Sequence, residues 1–134
     1  MEPNTQSALV SKKMLWAGWI MSILPVLMFC FSASMKFMKP PDMEKGLEHI
    51  GWTVSQMLGL GILEVTCTII YLIPRTAVLG AILLTGYIGG AIATHVRVND
   101  AIFVHIIIGV LIWGGVYLRD PRLRALIPLR KPLV

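Results

Sequence analysis

The sequence predicts an all-α integral membrane protein folded as an antiparallel four-helix bundle. Of its 134 residues, 56% are hydrophobic and only 14% are charged, with a mean hydropathy of +0.75. A soluble domain is about 25% charged, so the excess apolar material must face lipid. Four apolar runs of about 18–21 residues are each long enough to cross a bilayer as a helix. Short links between them favour antiparallel neighbours.

One long loop and two short links join the predicted spans. Pro40-Pro41 ends the first helix, because proline cannot continue a helix interior, and the loop covers residues 36–53. Pro74-Arg75-Thr76 forms the second link, and residues 96–100 form the core of the third. We therefore expect one transmembrane domain over residues 1–134, ending in a basic tail at 119–134. The predicted helices cover about residues 15–35, 54–73, 77–94 and 101–118.

The first span has an alternative interpretation as a secretory signal peptide. Lys12-Lys13, an apolar run and the small residues Ser32-Ala33-Ser34 occur in the order that such a signal requires. The apolar run is longer than the roughly 7–15 residues that are usual in signal peptides. We therefore expect a retained transmembrane helix.

The positions of lysine and arginine predict the orientation in the membrane. Eight of these residues lie in the two tails and the second link, against four in the remaining segments. Cytoplasmic segments carry the excess, so both termini are expected in the cytoplasm, with the C-terminal tail anchored at anionic headgroups. The basic residues flank apolar runs, and this explains the net charge of +5 without nucleic acid. The eight are Lys12, Lys13, Arg75, Arg119, Arg122, Arg124, Arg130 and Lys131; the four are Lys36, Lys39, Lys45 and Arg97.

Glu64 lies near the middle of the second span, where a carboxyl costs a few kcal/mol and is a functional candidate. In helical projection Thr53, Thr68 and Tyr71 lie within about 40° of it, so Glu64 is expected to face the bundle. Two interpretations remain open. A protonated Glu64 could hydrogen-bond Tyr87 or a threonine and hold two helices in register, or it could belong to a polar pocket open to a ligand.

A polar cluster follows the third span and consists of His95, Arg97, Asn99 and Asp100. Antiparallel threading places Tyr87 at about the depth of Glu64, with this cluster above it. The cluster could cap the helix, reach headgroups and gate a pocket whose floor is Glu64 and Tyr87. An ion pair between Arg97 and Asp100 is the structural alternative. The predicted ligand-binding residues are Glu64, Tyr87, His95, Arg97 and His105; no catalytic residue is assigned.

Gly86, Gly89 and Gly90 give the third span the small-residue spacing that allows close helix contact. We expect this contact within the chain, because four helices must pack somewhere, and a dimer interface is the alternative. The glycines lie inside a helical pattern and do not follow a strand, so they are not a dinucleotide-binding fingerprint.

Cysteine and histidine form no strong redox or metal motif. Cys30 and Cys67 make no CxxC pair and lie about 10 Å apart in depth, beyond disulfide reach, which disfavours a thiol–disulfide relay. His49, His95 and His105 are few and irregularly spaced, so we predict no metal site. An axial pair from His95 and His105 holding a haem is the alternative.

A longer pattern points to a family. Glu64 is followed by Pro74-Arg75-Thr76-Ala77, then by the stretch GYIGGAIATHVR at 86–97 and by Asn99-Asp100. With these features the chain resembles the DoxX-like family of small four-helix membrane proteins over roughly residues 15–118. Ser32-Ala33-Ser34-Met35-Lys36 is similar to the family's Ser-Gly-x-x-Lys, with alanine in place of glycine.

The resemblance implies a protein of the bacterial cytoplasmic (inner) membrane. Some relatives are subunits of a thiosulfate:quinone oxidoreductase, and others accompany membrane oxidoreductase complexes. Distant animal relatives act as receptor-assembly chaperones. The resemblance supports the fold better than any one activity.

Two classes of function follow from these observations. The first is an accessory subunit of a membrane electron-transfer system that binds a quinone or another lipid-soluble ligand, because quinone carbonyls need hydrogen-bond donors in an apolar cleft. The second is a non-catalytic assembly, scaffold or chaperone subunit in which Glu64 is structural. The expected partners are membrane lipids and a membrane oxidoreductase complex or a second copy of the chain. A channel ranks third, since four short helices leave little room for an aqueous path.

Overall fold

The computed structural model describes residues 10–130, which form helices and no strand. By length and composition, three helical segments can cross a membrane, Lys12–Met38, Val54–Leu72 and Ala77–Arg97, while Phe103–Arg119 is apolar but shorter. The chain is therefore a multi-pass membrane protein. The helices are α1 (Lys12–Met38), α2 (Met43–Ile50), α3 (Met57–Leu72, preceded by a 3-10 turn at Val54–Gln56), α4 (Ala77–Arg97), α5 (Phe103–Arg119) and α6 (Pro121–Leu126).

The first helix is longer than the predicted span at 15–35, because its end signals lie outside the apolar run. Ser11 is the N-cap, and its hydroxyl oxygen accepts a hydrogen bond of 3.2 Å from the Met14 amide. At the other end Lys39 takes the left-handed conformation (φ 48°) directly before Pro40. Lys36 thus lies within the last turn of α1.

The segment predicted as a loop at 36–53 contains α2, which the sequence pattern did not predict. α2 buries Leu47 and exposes its charged residues. It ends at Gly51, whose φ of 78° places it in the left-handed region. The available signal was the helical spacing of Met43, Leu47 and Ile50, within a segment only eight residues long.

The later helices depart from their predicted bounds by a few residues. A capping box formed by Thr53 and Gln56 precedes α3. α4 continues beyond residue 94 to Arg97, and the chain turns at Asn99, which has a φ of 59°. In the basic tail, Asp120 caps the short helix α6. Residues 1–9 and 131–134, the latter including Lys131 of the basic tail, lie outside the described residues.

Four helices pack in a ring in which α1 and α4 each contact both α3 and α5. Small residues bring α1 and α5 together, since a side chain added at Gly18 or Gly115 would overlap the other helix. Gly80 of α4 lies directly against the backbone of Tyr71. The Tyr71 hydroxyl lies 2.8 Å from Ser22 Oγ and 2.9 Å from the carbonyl oxygen of Ile112. We call this the packed half of the ring, because its helix backbones are in close contact.

The glycines expected to pack inside the chain do not. Among the described residues, no heavy atom lies within 4 Å of a Cβ added at Gly86, Gly89 or Gly90, and all three are exposed. The prediction of an intramolecular contact was wrong. The helix α4 approaches α3 closely at Gly80, and α5 approaches α1 closely at Gly115. The dimer alternative stays a prediction.

Candidate functional site

A cavity of about 790 Å³ occupies the other half of the ring, between α1, α3, α4 and α5. Its wall is mainly apolar, and α2 contributes Met43, Leu47 and Ile50, with Trp52 just beyond, so that α2 lies across the cavity's outer end. A volume of this size is typical of sites for small organic ligands. The polar side chains in its wall are Ser32, Lys36, Glu64, Tyr87, Thr94, His95 and His105.

The centre of this site is an ion pair between α1 and α3. Lys36 Nζ donates to Glu64 Oε2 at 2.9 Å, and the two side chains are only 16% and 2% exposed. Lys36 also donates to Ser32 Oγ, one turn earlier on α1. Charges are costly in an apolar environment unless they are paired and hydrogen-bonded, and the lysine and serine provide this pairing.

Lys36 changes the interpretation of Glu64. The sequence suggested a protonated carboxyl held by Tyr87 or a threonine. The structure adds Lys36 as the ion-pair partner of the carboxylate, with Tyr87 beside it. Thr68 donates at 2.7 Å to the backbone carbonyl of Glu64, not to its side chain. Lys36 donates to Oε2 of this carboxylate, and the Tyr87 hydroxyl also interacts with the Glu64 side chain.

Aromatic and imidazole rings flank the ion pair. Tyr87 packs edge-on against Phe29, with ring centroids 6.2 Å apart, and lines the cavity from α4. The rings of His95 and His105 lie 4.8 Å apart between centroids, and within residues 10–130 the buried Nδ1 of His105 has no partner. Axial haem ligands lie on opposite faces of a porphyrin, and rings this close leave no space for one.

A second polar cluster holds α2 at the end of the cavity. Asp100 accepts hydrogen bonds from His49 at 3.0 Å and from His95 at 3.2 Å. These contacts, the His49 bond first, lower the pKa of the Asp100 carboxyl below its ordinary value. Arg97 donates at 2.8 Å to the carbonyl oxygen of Ile50, the last residue of α2. The alternative of an Arg97–Asp100 ion pair was wrong. Arg97 binds the Ile50 carbonyl and Asp100 binds His49, and both partners lie in α2.

The cavity brings together four of the five residues predicted to bind a ligand, Glu64, Tyr87, His95 and His105. Arg97 does not line it. Gly86 and Gly90 also line the cavity, whereas Gly89 does not.

Lys36 is the residue that sequence reasoning missed. The available signal was Ser32 and Lys36 spaced one helical turn apart at the end of the first span. A metal site finds no support in the geometry, since no group of three His, Cys, Asp or Glu residues in 10–130 could hold a metal ion.

Apolar helices of membrane length around an internal cavity define a polytopic helical membrane protein. The family model described as the DoxX-like family matches residues 20–115, and the chain belongs to this family. No curated protein and no solved structure matches the chain.

Proposed function

We propose that this protein binds a quinone, or a lipid-soluble ligand with similar carbonyl groups, as an accessory subunit of a membrane electron-transfer system. The observation that carries the proposal is the apolar cavity of about 790 Å³ with the buried Lys36–Glu64 pair in its wall. Apolar pockets with a few convergent polar groups are the usual form of small-molecule sites.

The chemistry of the wall matches a quinone head group. A quinone offers two carbonyl acceptors on a flat apolar ring, and Lys36 and Tyr87 are donors on different helices. On reduction to a quinol the same oxygens become donors, and the Glu64 carboxylate is an acceptor for them. The Lys36–Glu64 pair would therefore provide hydrogen-bond partners for both the quinone and the quinol.

Fluorescence titration tests this proposal, because Trp52 lines the cavity and quinones quench tryptophan emission. Purified protein in lipid nanodiscs is titrated with decylubiquinone, and saturable quenching is expected. A Trp52→Phe variant identifies the quenched residue. The double variant Lys36→Met/Glu64→Leu removes the polar partners without stranding a charge, and should weaken binding by roughly tenfold or more if two hydrogen bonds are lost. Equal binding by the double variant would reject the site.

A scaffold function is the second candidate, and the same ion pair favours it. Lys36 and Glu64 connect α1 to α3, and polar contacts between helices in lipid can fix helix register without any ligand. In that case the parent protein shows no saturable quenching and the substitutions change only stability.

We also propose an antiparallel arrangement of α1, α3, α4 and α5 in a bacterial inner membrane, with both termini cytoplasmic. Contacts between α4 and α5 support it, since Trp113 donates to Thr85 while His105 lies beside His95, in opposite chain order. A cysteine in place of Asp42 should react with an impermeant thiol reagent added to intact cells. Cysteines in place of Ser11 and Arg130 should not react, and labelling of either would reverse the orientation.

A further inference from the structure

We propose that the ligand carries one long hydrocarbon chain, and that this chain leaves the cavity sideways into the bilayer through a gap beside Gly86 and Gly90. This inference rests on the proposed function and specifies the class of ligand. The head group would lie at the Lys36–Glu64 pair, and the two glycines would determine whether a chained ligand is accepted.

The gap is a property of the wall at α4. Gly86 and Gly90 lie one helical turn apart in the middle third of this 21-residue helix, line the cavity and are exposed. Among residues 10–130, no heavy atom lies within 4 Å of a Cβ added at either position. Since α4 is long and apolar enough to span a membrane, an opening in its middle faces lipid.

One end of the cavity is covered by α2. Residues of α2 lie across it, and two contacts fix this helix to the far end of α4 and the loop that follows: Arg97 to the Ile50 carbonyl, and His49 to Asp100. A ligand dissolved in the membrane therefore has a lateral route, while the route through the aqueous surface is covered.

Volume and polarity then select the ligand. Cavities of roughly 300–1,000 Å³ hold compact ligands, so about 790 Å³ accommodates a ring and a short chain but not a full-length isoprenoid chain. A longer chain has to extend through the gap. The head group is held inside by the buried Lys36–Glu64 pair, whose side chains are 16% and 2% exposed.

The test compares two probes on three leucine variants. The probes are ubiquinone with its full isoprenoid chain and the same dimethoxybenzoquinone head group without any chain, both measured by Trp52 quenching in nanodiscs. Gly86→Leu and Gly90→Leu fill the gap. Gly89→Leu is the matched control, because Gly89 is equally exposed and open but does not line the cavity. Leucine favours a helix more than glycine does, so all three variants should fold.

We expect Gly86→Leu and Gly90→Leu to weaken binding of the chained quinone by roughly tenfold or more, as overfilling a packed contact does. The chain-free head group should bind as it does to the parent, and Gly89→Leu should bind both probes normally. If the parent binds both probes and all variants bind alike, or if Gly89→Leu loses the chained probe equally, the lateral gap is rejected while the quinone site stands. If the parent binds neither probe, the proposed function itself fails.

Discussion

Three glycines in the packed half of the helix ring and two in the cavity wall have opposite surroundings. In the packed half, Gly18, Gly80 and Gly115 touch neighbouring helices so closely that no Cβ would fit. In the cavity half, Gly86 and Gly90 touch nothing and leave the wall open. The first three glycines allow direct contact between helix backbones. Gly86 and Gly90 leave the space beside α4 unfilled.

The halves also differ in the kind of polar group that they contain. Tyr71, in the packed half, has partners within the helix ring for its hydroxyl, on Ser22 and Ile112. The cavity half contains the Lys36–Glu64 pair, whose side chains line open space.

The largest expected effect tests whether the ion pair stabilises the open half. Glu64→Leu leaves Lys36 without its partner and should lower the free energy of unfolding by about 3 kcal/mol, the lower end for a broken buried pair. Lys36→Met should cost less, since the remaining carboxyl can take up a proton. Unfolding in detergent by denaturant, followed by circular dichroism, measures both.

The double variant Lys36→Met/Glu64→Leu serves as the control. It strands no charge, so its stability should return to within about 1 kcal/mol of the parent. Additive losses in the double variant would show that each residue stabilises the protein independently of the pair.

The next effect compares the glycines directly. Gly80→Ala places a methyl group against the Tyr71 backbone and should cost about 1–3 kcal/mol. Gly89→Ala meets open space and should stabilise α4 by up to about 1 kcal/mol, because alanine favours a helix. Thermal melting of both variants in the same detergent gives the ranking. Similar melting temperatures would remove the distinction between the two halves.

The smallest effect concerns the pH dependence of the contact that holds α2. Because its pKa is lowered on folding, the Asp100 carboxylate stabilises the protein above its ordinary pKa of 3.8, and this contribution disappears as pH falls through the lowered value. Hydrogen exchange of the α2 amides, corrected for intrinsic rates, should therefore show protection at pH 5 that decreases as the pH is lowered below 3.8.

Asp100→Asn should lower α2 protection at pH 5 to the level that the parent shows in acid. Exchange in the packed half, around Tyr71, should be the same in both proteins. Unchanged α2 protection in Asp100→Asn would assign the attachment of α2 to Arg97 alone.

The apolar runs predicted the long helices because spanning length and low charge are strong constraints. Their ends were less predictable, since caps such as Ser11 and Lys39 lie beyond the apolar residues. The helix α2 was missed although Met43, Leu47 and Ile50 have helical spacing, because the segment is short and follows Pro40-Pro41.

Part of the candidate site could be predicted from the sequence, because helix geometry is regular. Helical periodicity and the short link at 74–76 together place Glu64 and Tyr87 at one depth. Lys36 was missed because a cation at the end of a span is ordinarily assigned to headgroups. Arg97 and Asp100 were paired wrongly because their partners lie on or beside α2, far away in sequence.

The Lys36–Glu64 pair has an electrical consequence. With both groups charged, the pair has no net charge, so the potential across the membrane exerts no net force on it. A lone charge at such a depth would respond, since one elementary charge moved through 100 mV corresponds to about 2.3 kcal/mol. A neutral ligand that binds without taking up a proton should therefore bind equally well in energised and de-energised membranes. In the Lys36→Met variant, a Glu64 carboxylate that stays ionised would make ligand occupancy depend on the membrane potential.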